Sequence, residues 1–193
     1  MLPPLLFPPV GYYQRIIAGD DADYAMRYDK RLKDTHRYTI ASTRGALQLT
    51  VPIEHIWNGD ADARQRPTPL TWGDIPLSTH NQWWDKHRVA LESAYGRTPY
   101  FEFYIDRLLP LLSADTPQHI KSVAQLCRCA NDIVSSILML DTLRSMAANG
   151  GRMAPEGFTY PQIRQDSLGF IPDMSVLDLI FNVGPESPLY LKG

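Results

Sequence analysis

His87 is the side chain in this sequence best suited to moving a proton near neutral pH, because an imidazole titrates there and its surroundings set where. Trp83, His87, Leu91 and Tyr95 recur every four residues with Ala90 and Ala94 between them, so on a helix they share one face. In that setting His87 is a candidate general base, with Tyr95 orienting it. The structural alternative is a semi-buried histidine whose ring nitrogens bond a carbonyl or a tyrosine. Arg37, at the head of a β-rich run, could clamp a phosphate or carboxylate with its rigid fork of donors, or could simply face water on an edge strand. Tyr12, Tyr13, Trp83, Trp84, Tyr95, Tyr100 and Tyr104 could wall a sugar-binding cleft, since aromatic faces stack on pyranose rings; helical spacing equally suits them to a core. His80 lies seven residues before His87, too far for the usual zinc pair on one helix, and no metal site is expected. Asp85 turns to another side of the helix, and neither it nor Glu92 makes a persuasive acid partner.

No phosphate-binding glycine loop, HExxH, GxSxG or paired CxxC occurs, and with each absence a reaction class loses its sequence argument. No cofactor is indicated. A charged fraction of 21% and a net charge of -2 argue against disorder and against a nucleic-acid-binding face. Cys127 and Cys129 fall on different sides of a helical pattern, which suits free thiols in a reducing compartment better than a disulfide. The apolar opening, MLPPLLFPPVGYY, lacks a basic start and is broken by prolines, so it reads as neither a signal peptide nor a membrane span; the expected location is the cytoplasm.

These residues need elements to hold them. Prolines predict extended chain over residues 2–9, followed by a short helix bearing Tyr12, Tyr13, Ile16 and Ile17 and stopped at Gly19. Tyr24 to Tyr28 reads as a strand, which completes a βαβ unit. Arg37 to Ser42 and Ala46 to Pro52 read as a hairpin around Thr43, Arg44 and Gly45, residues 57–69 as a mobile surface loop, and Leu70 to Leu77 as a further strand. Thr79 with Gln82 is a capping-box pattern that starts the His87 helix near His80. Gly96 suits a left-handed end to it, and Thr98 with Pro99 suits the start of the next. A third helix follows from Thr116 and breaks near Asp141, Gly151 to Gln165 shows no pattern, and Ser175 with Asp178 caps a last short helix closed by Gly184. The expected fold is α+β in one domain over 1–193: a small mixed sheet from residues 1–78, helices over 79–149, and a wrapping segment over 150–193.

Four blocks in matching order resemble the WbqC-like family. LLFPPVGYYQRIIAGD is similar to its opening YFPPxxYF, and HRYTIASTRGALQLTVPI to its NRxxI hairpin. Trp83, His87 and Tyr95 with TPYFEFY resemble its central block, and GFIPDMSVLDLIFNVGPESPLYL its closing GFlPNLSIlDLlFneGPea. The chain departs from the pattern at His36, where asparagine is expected before the arginine, near Trp84 and Asp85, where an arginine is often found, and at Asp173, where asparagine is usual. The family occurs in gene clusters for O-antigen and other surface polysaccharides, so the resemblance implies a role in making or modifying a sugar precursor. That implies a transferase acting on a nucleotide- or lipid-linked sugar, with His87, Tyr95 and Arg37 as catalytic candidates and Tyr12, Tyr13, His36, Trp83 and Tyr100 as substrate-binding ones. The alternative is a non-catalytic partner of a biosynthetic complex, in which the aromatic blocks are core and interface.

Overall fold

The prolines of the first nine residues leave most of the opening without regular structure, interrupted at Phe7, whose φ of 43° turns the chain so that its ring packs edge-on against Tyr38 at 5.1 Å. The structure, a computed structural model, describes residues 1–54, 69–151, 154–155 and 157–192. The surface loop expected over residues 57–69 lies outside these residues except for its last. Helix α1 (Val10–Ile17) follows Pro9 and buries Val10, Tyr12, Tyr13 and Ile17, the face expected from their spacing.

The βαβ unit exists only in miniature, as a single parallel bridge between Leu2 and Ala22 on either side of α1. Tyr24 to Tyr28 is not a strand. Its side chains are held from both directions instead: the Tyr24 ring carries the Arg128 guanidinium at 4.8 Å, and Tyr28 meets Trp72 edge-on at 4.8 Å. The hairpin forms as expected, with β1 (Arg37–Ser42) antiparallel to β2 (Gly45–Thr50). Gly45 pairs with Ser42 at φ 102°, so the turn is the two residues Thr43 and Arg44 rather than three. Among the described residues this hairpin is the sheet, and the broader mixed sheet reduces to isolated bridges around it. The segment from Leu70 to Leu77 is likewise a 3-10 turn over Trp72–Asp74, boxed by Thr71 and Asp74, with bridges at Thr71, Pro76 and Leu77.

Helices supply the rest of the α+β fold: α2 (Trp83–Tyr95), α3 (Phe101–Leu108), α4 (Thr116–His119), α5 (Val123–Leu138), α6 (Leu140–Ala148), α7 (Gln165–Leu168), α8 (Val176–Val183) and α9 (Ser187–Lys192). Three boundaries differ from expectation for local reasons. The Thr79–Gln82 box does not form: Asn81 and Gln82 take φ of 67° and 44°, α2 begins only at Trp83, and the Trp83 indole anchors the break by donating to the Ser78 carbonyl at 3.0 Å. Gly96 stays right-handed, and Thr98 turns its hydroxyl back to the Tyr95 carbonyl at 2.7 Å instead of capping α3. Met139, left-handed at φ 53°, separates α5 from α6 two positions before Asp141. The Ser175 cap is present, its side chain accepting from the Leu177 amide.

Every residue of α8 is buried, and this helix packs on α2, α3 and β1. The core therefore runs from the inner face of the hairpin, through α2 and α8, to the apolar face of α5. Cys127 is buried there with its thiol on the Thr35 carbonyl, Cys129 is half-buried, and both are free. No single helix among the described residues is long and apolar enough to cross a membrane. The α5–α6 pair reaches that length and composition only together, across a 66° bend.

Candidate functional site

The alternation of β1 turns Tyr38 and Ile40 inward and Arg37 and Thr39 outward, and α2 lays His87 against the inward face. His87 is 2% exposed, with its Nδ1 3.1 Å from the Tyr38 hydroxyl and its Nε2 3.1 Å from the Thr50 carbonyl. A carbonyl only accepts, so Nε2 carries the proton and Nδ1 accepts from Tyr38. Burial drives the imidazole pKa down to about 4, against the smaller pull of the Thr50 bond. The Trp83 ring closes one side edge-on at 5.4 Å. This neutral ring, bonded at both nitrogens, ties α2 to both strands of the hairpin. Tyr38→Phe would leave a buried Nδ1 without its donor, and urea unfolding should show a loss of about 1–3 kcal/mol.

The hydroxyl on His87 is thus that of Tyr38. Tyr95 lies one helical stretch further on, buried, accepting from the Ala41 amide at 2.9 Å, and burial followed by the nearby Asp178 charge pushes its pKa well up. Arg37 lies on the outer face of β1, where Nη1 reaches Gln48 at 3.5 Å and Nε is buried without a partner. No hydrogen bond or ion pair among the described residues joins Arg37 to His87 or Tyr95. His36 donates from Nδ1 to the Val51 carbonyl at 2.8 Å, a bond that an asparagine amide could equally make, and burial lowers its pKa. Tyr12 donates to the Pro3 carbonyl and Tyr13 to Asn131 Oδ1 at 2.7 Å, so both are committed to the core. Tyr100 stands apart, half-buried, lining a shallow surface hollow with Phe103, Tyr104 and Pro185. The sequence candidates are therefore spread over several places.

A cleft of about 420 Å³ opens elsewhere, between the first turns of α1 and the chain entering α8. Pro9, Gly11, Gln14 and Arg15 form one side; Phe158, Tyr160, Phe170 and Asp173 form the other. Its base is clamped by the Pro9–Ser175 bridge and by the Val176 amide on the Pro8 carbonyl at 2.9 Å. A Cβ added at Gly11 would meet nothing within 4 Å, and α1 has no side-chain cap, so the first-turn amides face outward without an intrahelical acceptor. Gln14 ties the rim by donating to the Ala154 carbonyl at 3.0 Å.

The aromatic wall is fixed from behind. Tyr160 donates to Asp178 Oδ2 at 2.8 Å, Gln162 donates to the same oxygen at 2.7 Å, and Asn182 donates to the Asp178 carbonyl. Asp178 is fully buried at the start of α8. Desolvation pushes its pKa up, the Tyr160 and Gln162 donors pull it back, and its charge with burial raises that of Tyr160. Phe170 packs edge-on against Tyr160 at 5.4 Å. Sequence reasoning missed Tyr38, Tyr160, Phe158 and Asp178 as positioning residues. For Tyr38 the period-two alternation of β1 was the available signal; for Asp178 it was an acid set inside the apolar run Val176–Ile180.

The family model of the WbqC-like protein family matches residues 4–153, which includes α1, the hairpin, and α2 through α6. The α1 side of the cleft lies inside that span and the Phe158–Asp173 side beyond it. No curated protein and no solved structure matches the chain. With the matched segment covering most of its length, the chain belongs to the WbqC-like protein family.

Proposed function

We propose that this protein binds a sugar precursor of a surface polysaccharide in the cleft between α1 and Phe158–Asp173 and acts on it as a transferase. The observation that carries the reading is the cleft itself. It has the size of a small-molecule site, ring faces on one wall, and unspent amides and polar side chains on the other. In this reading His87, Tyr38 and Tyr95 hold the hairpin on α2, and the chemistry belongs to the cleft rather than to the His87 centre.

A second reading, a non-catalytic partner in a biosynthetic complex, draws on the exposed Phe103, 75% accessible beside Tyr100, Tyr104 and Pro185. The two are separated by a thermal-shift and calorimetric screen of the purified chain against monosaccharides, nucleotide sugars and lipid-linked sugar analogues, repeated with Gly11→Gln. That variant places a side chain in open space at the cleft and relieves a helix of a glycine, so the fold should be unharmed. A ligand present at a hundredfold excess over its Kd stabilises the folded state by about 2.7 kcal/mol. The expected result is a shift in the wild type that Gly11→Gln loses. No shift with any sugar would sink the proposal in favour of the partner reading.

A further inference from the structure

The charge at the cleft narrows what enters it, if the sugar reading above holds. Arg15 is the cation on its rim, but its Nε and Nη2 lie 3.0 Å and 2.9 Å from Asp20 Oδ2, and Asp20 also takes the N-terminal amine at 3.1 Å. The Arg15 charge is therefore already compensated. Asp173, on the opposite side, is exposed and makes no hydrogen bond or ion pair among the described residues. The uncompensated charge of the cleft is consequently negative. Gln14 spends its amide nitrogen on Ala154, which leaves its oxygen as a further acceptor.

We infer that the cleft seats a neutral glycosyl unit through its hydroxyls, with Asp173 as the specificity-determining residue, and that the phosphates of an activated sugar stay outside it. A carboxylate accepts from two hydroxyls at once, while a phosphate brought beside it meets a like charge in a partly desolvated space. The amides at the start of α1 donate to hydroxyl oxygens, and the rings of Phe158 and Tyr160 face the apolar side of the sugar. Donors, acceptors and an apolar face together match a pyranose better than an anion.

Asp173 also permits a clean test. Its φ of 58° is left-handed, a region that aspartate and asparagine both tolerate, so Asp173→Asn removes the charge without asking the backbone to move. Calorimetry would use the methyl glycosides of glucose, galactose, mannose and N-acetylglucosamine, with inorganic phosphate and pyrophosphate as the anionic probes. The expected result is glycoside binding to the wild type, loss of it in Gly11→Gln, and binding about tenfold weaker in Asp173→Asn. Pyrophosphate and phosphate should not bind the wild type. Phosphate or pyrophosphate binding that Gly11→Gln abolishes would overturn the inference, and so would glycoside affinity unchanged in Asp173→Asn. If nucleotide sugars bind in the cleft and no glycoside does, this inference fails while the sugar reading stands. If nothing binds, both fail.

Discussion

Gly184→Ala should destabilise the protein by about 3 kcal/mol or more, the sum of two costs at one atom. Gly184 follows α8 with φ 53° and ψ -123°, a conformation that excludes a side chain on steric grounds alone. A Cβ there would also fall inside the ring of Tyr100. Neither partner has room to yield. The Tyr100 amide donates to the Phe181 carbonyl at 3.2 Å, and Ser187 donates to the Gly184 carbonyl at 2.6 Å, so both sides of the contact are pinned to the end of α8. Urea unfolding of Gly184→Ala and of Gly184→Ala with Tyr100→Ala separates the terms, because removing the ring relieves the overpacking and leaves the backbone strain. A cost under about 1 kcal/mol for the single variant would mean that the turn after α8 is not built this way. This also gives Tyr100 a definite task, which is to cover the α8 turn.

How much of this was readable in advance depends on how local each cause is. Helix α1, the hairpin and α8 announced themselves, because Tyr12, Tyr13 and Ile17 repeat at helical spacing, Gly45 sits at a turn, and Ser175 precedes an apolar run. Tyr24 to Tyr28 has the composition of a strand, and what overrides it is the pairing of Tyr24 with Arg128 and Asn131, more than a hundred positions along the chain. Gly96 could have been left-handed; the Thr98 hydroxyl, returning to Tyr95, makes that unnecessary. The same division holds at the candidate sites. A histidine bonded to a carbonyl and a tyrosine was one of the two readings open for His87, but the tyrosine proved to be one from the hairpin rather than one from its own helix. The cleft was the least legible part, since Phe158 and Tyr160 sit in a stretch without periodicity and meet α1 only through tertiary folding. Asp173 could be noticed as a residue, yet nothing in the sequence says that Asp20 neutralises the one cation facing it.

Acidification should unfold this protein well above the pH at which its carboxylates protonate, and His87 is the reason. In the folded chain burial holds its pKa to about 4, whereas in the unfolded chain an unhindered histidine titrates at about 6.5. Between those values the unfolded state binds the additional proton, so stability rises with pH across the window. The contribution is fully present above about pH 6.5, declines as the pH falls through 4, and amounts to on the order of 3 kcal/mol. Protonation also costs the site its geometry: Nδ1 would become a donor facing a hydroxyl that now donates to it, and a cation would sit among Trp83, Tyr38 and the hairpin. The check is urea unfolding at pH 7 and pH 4.5 for the wild type and for His87→Gln, which cannot titrate. The wild type should lose markedly more stability than the variant between the two pH values. Where His87→Gln folds too poorly to compare, following the His87 ring proton by NMR through the same range should show no titration above about pH 5. A His87 that titrates near 6.5 in the folded protein would be free to exchange its proton with a substrate, and the general-base reading would take precedence over the cleft.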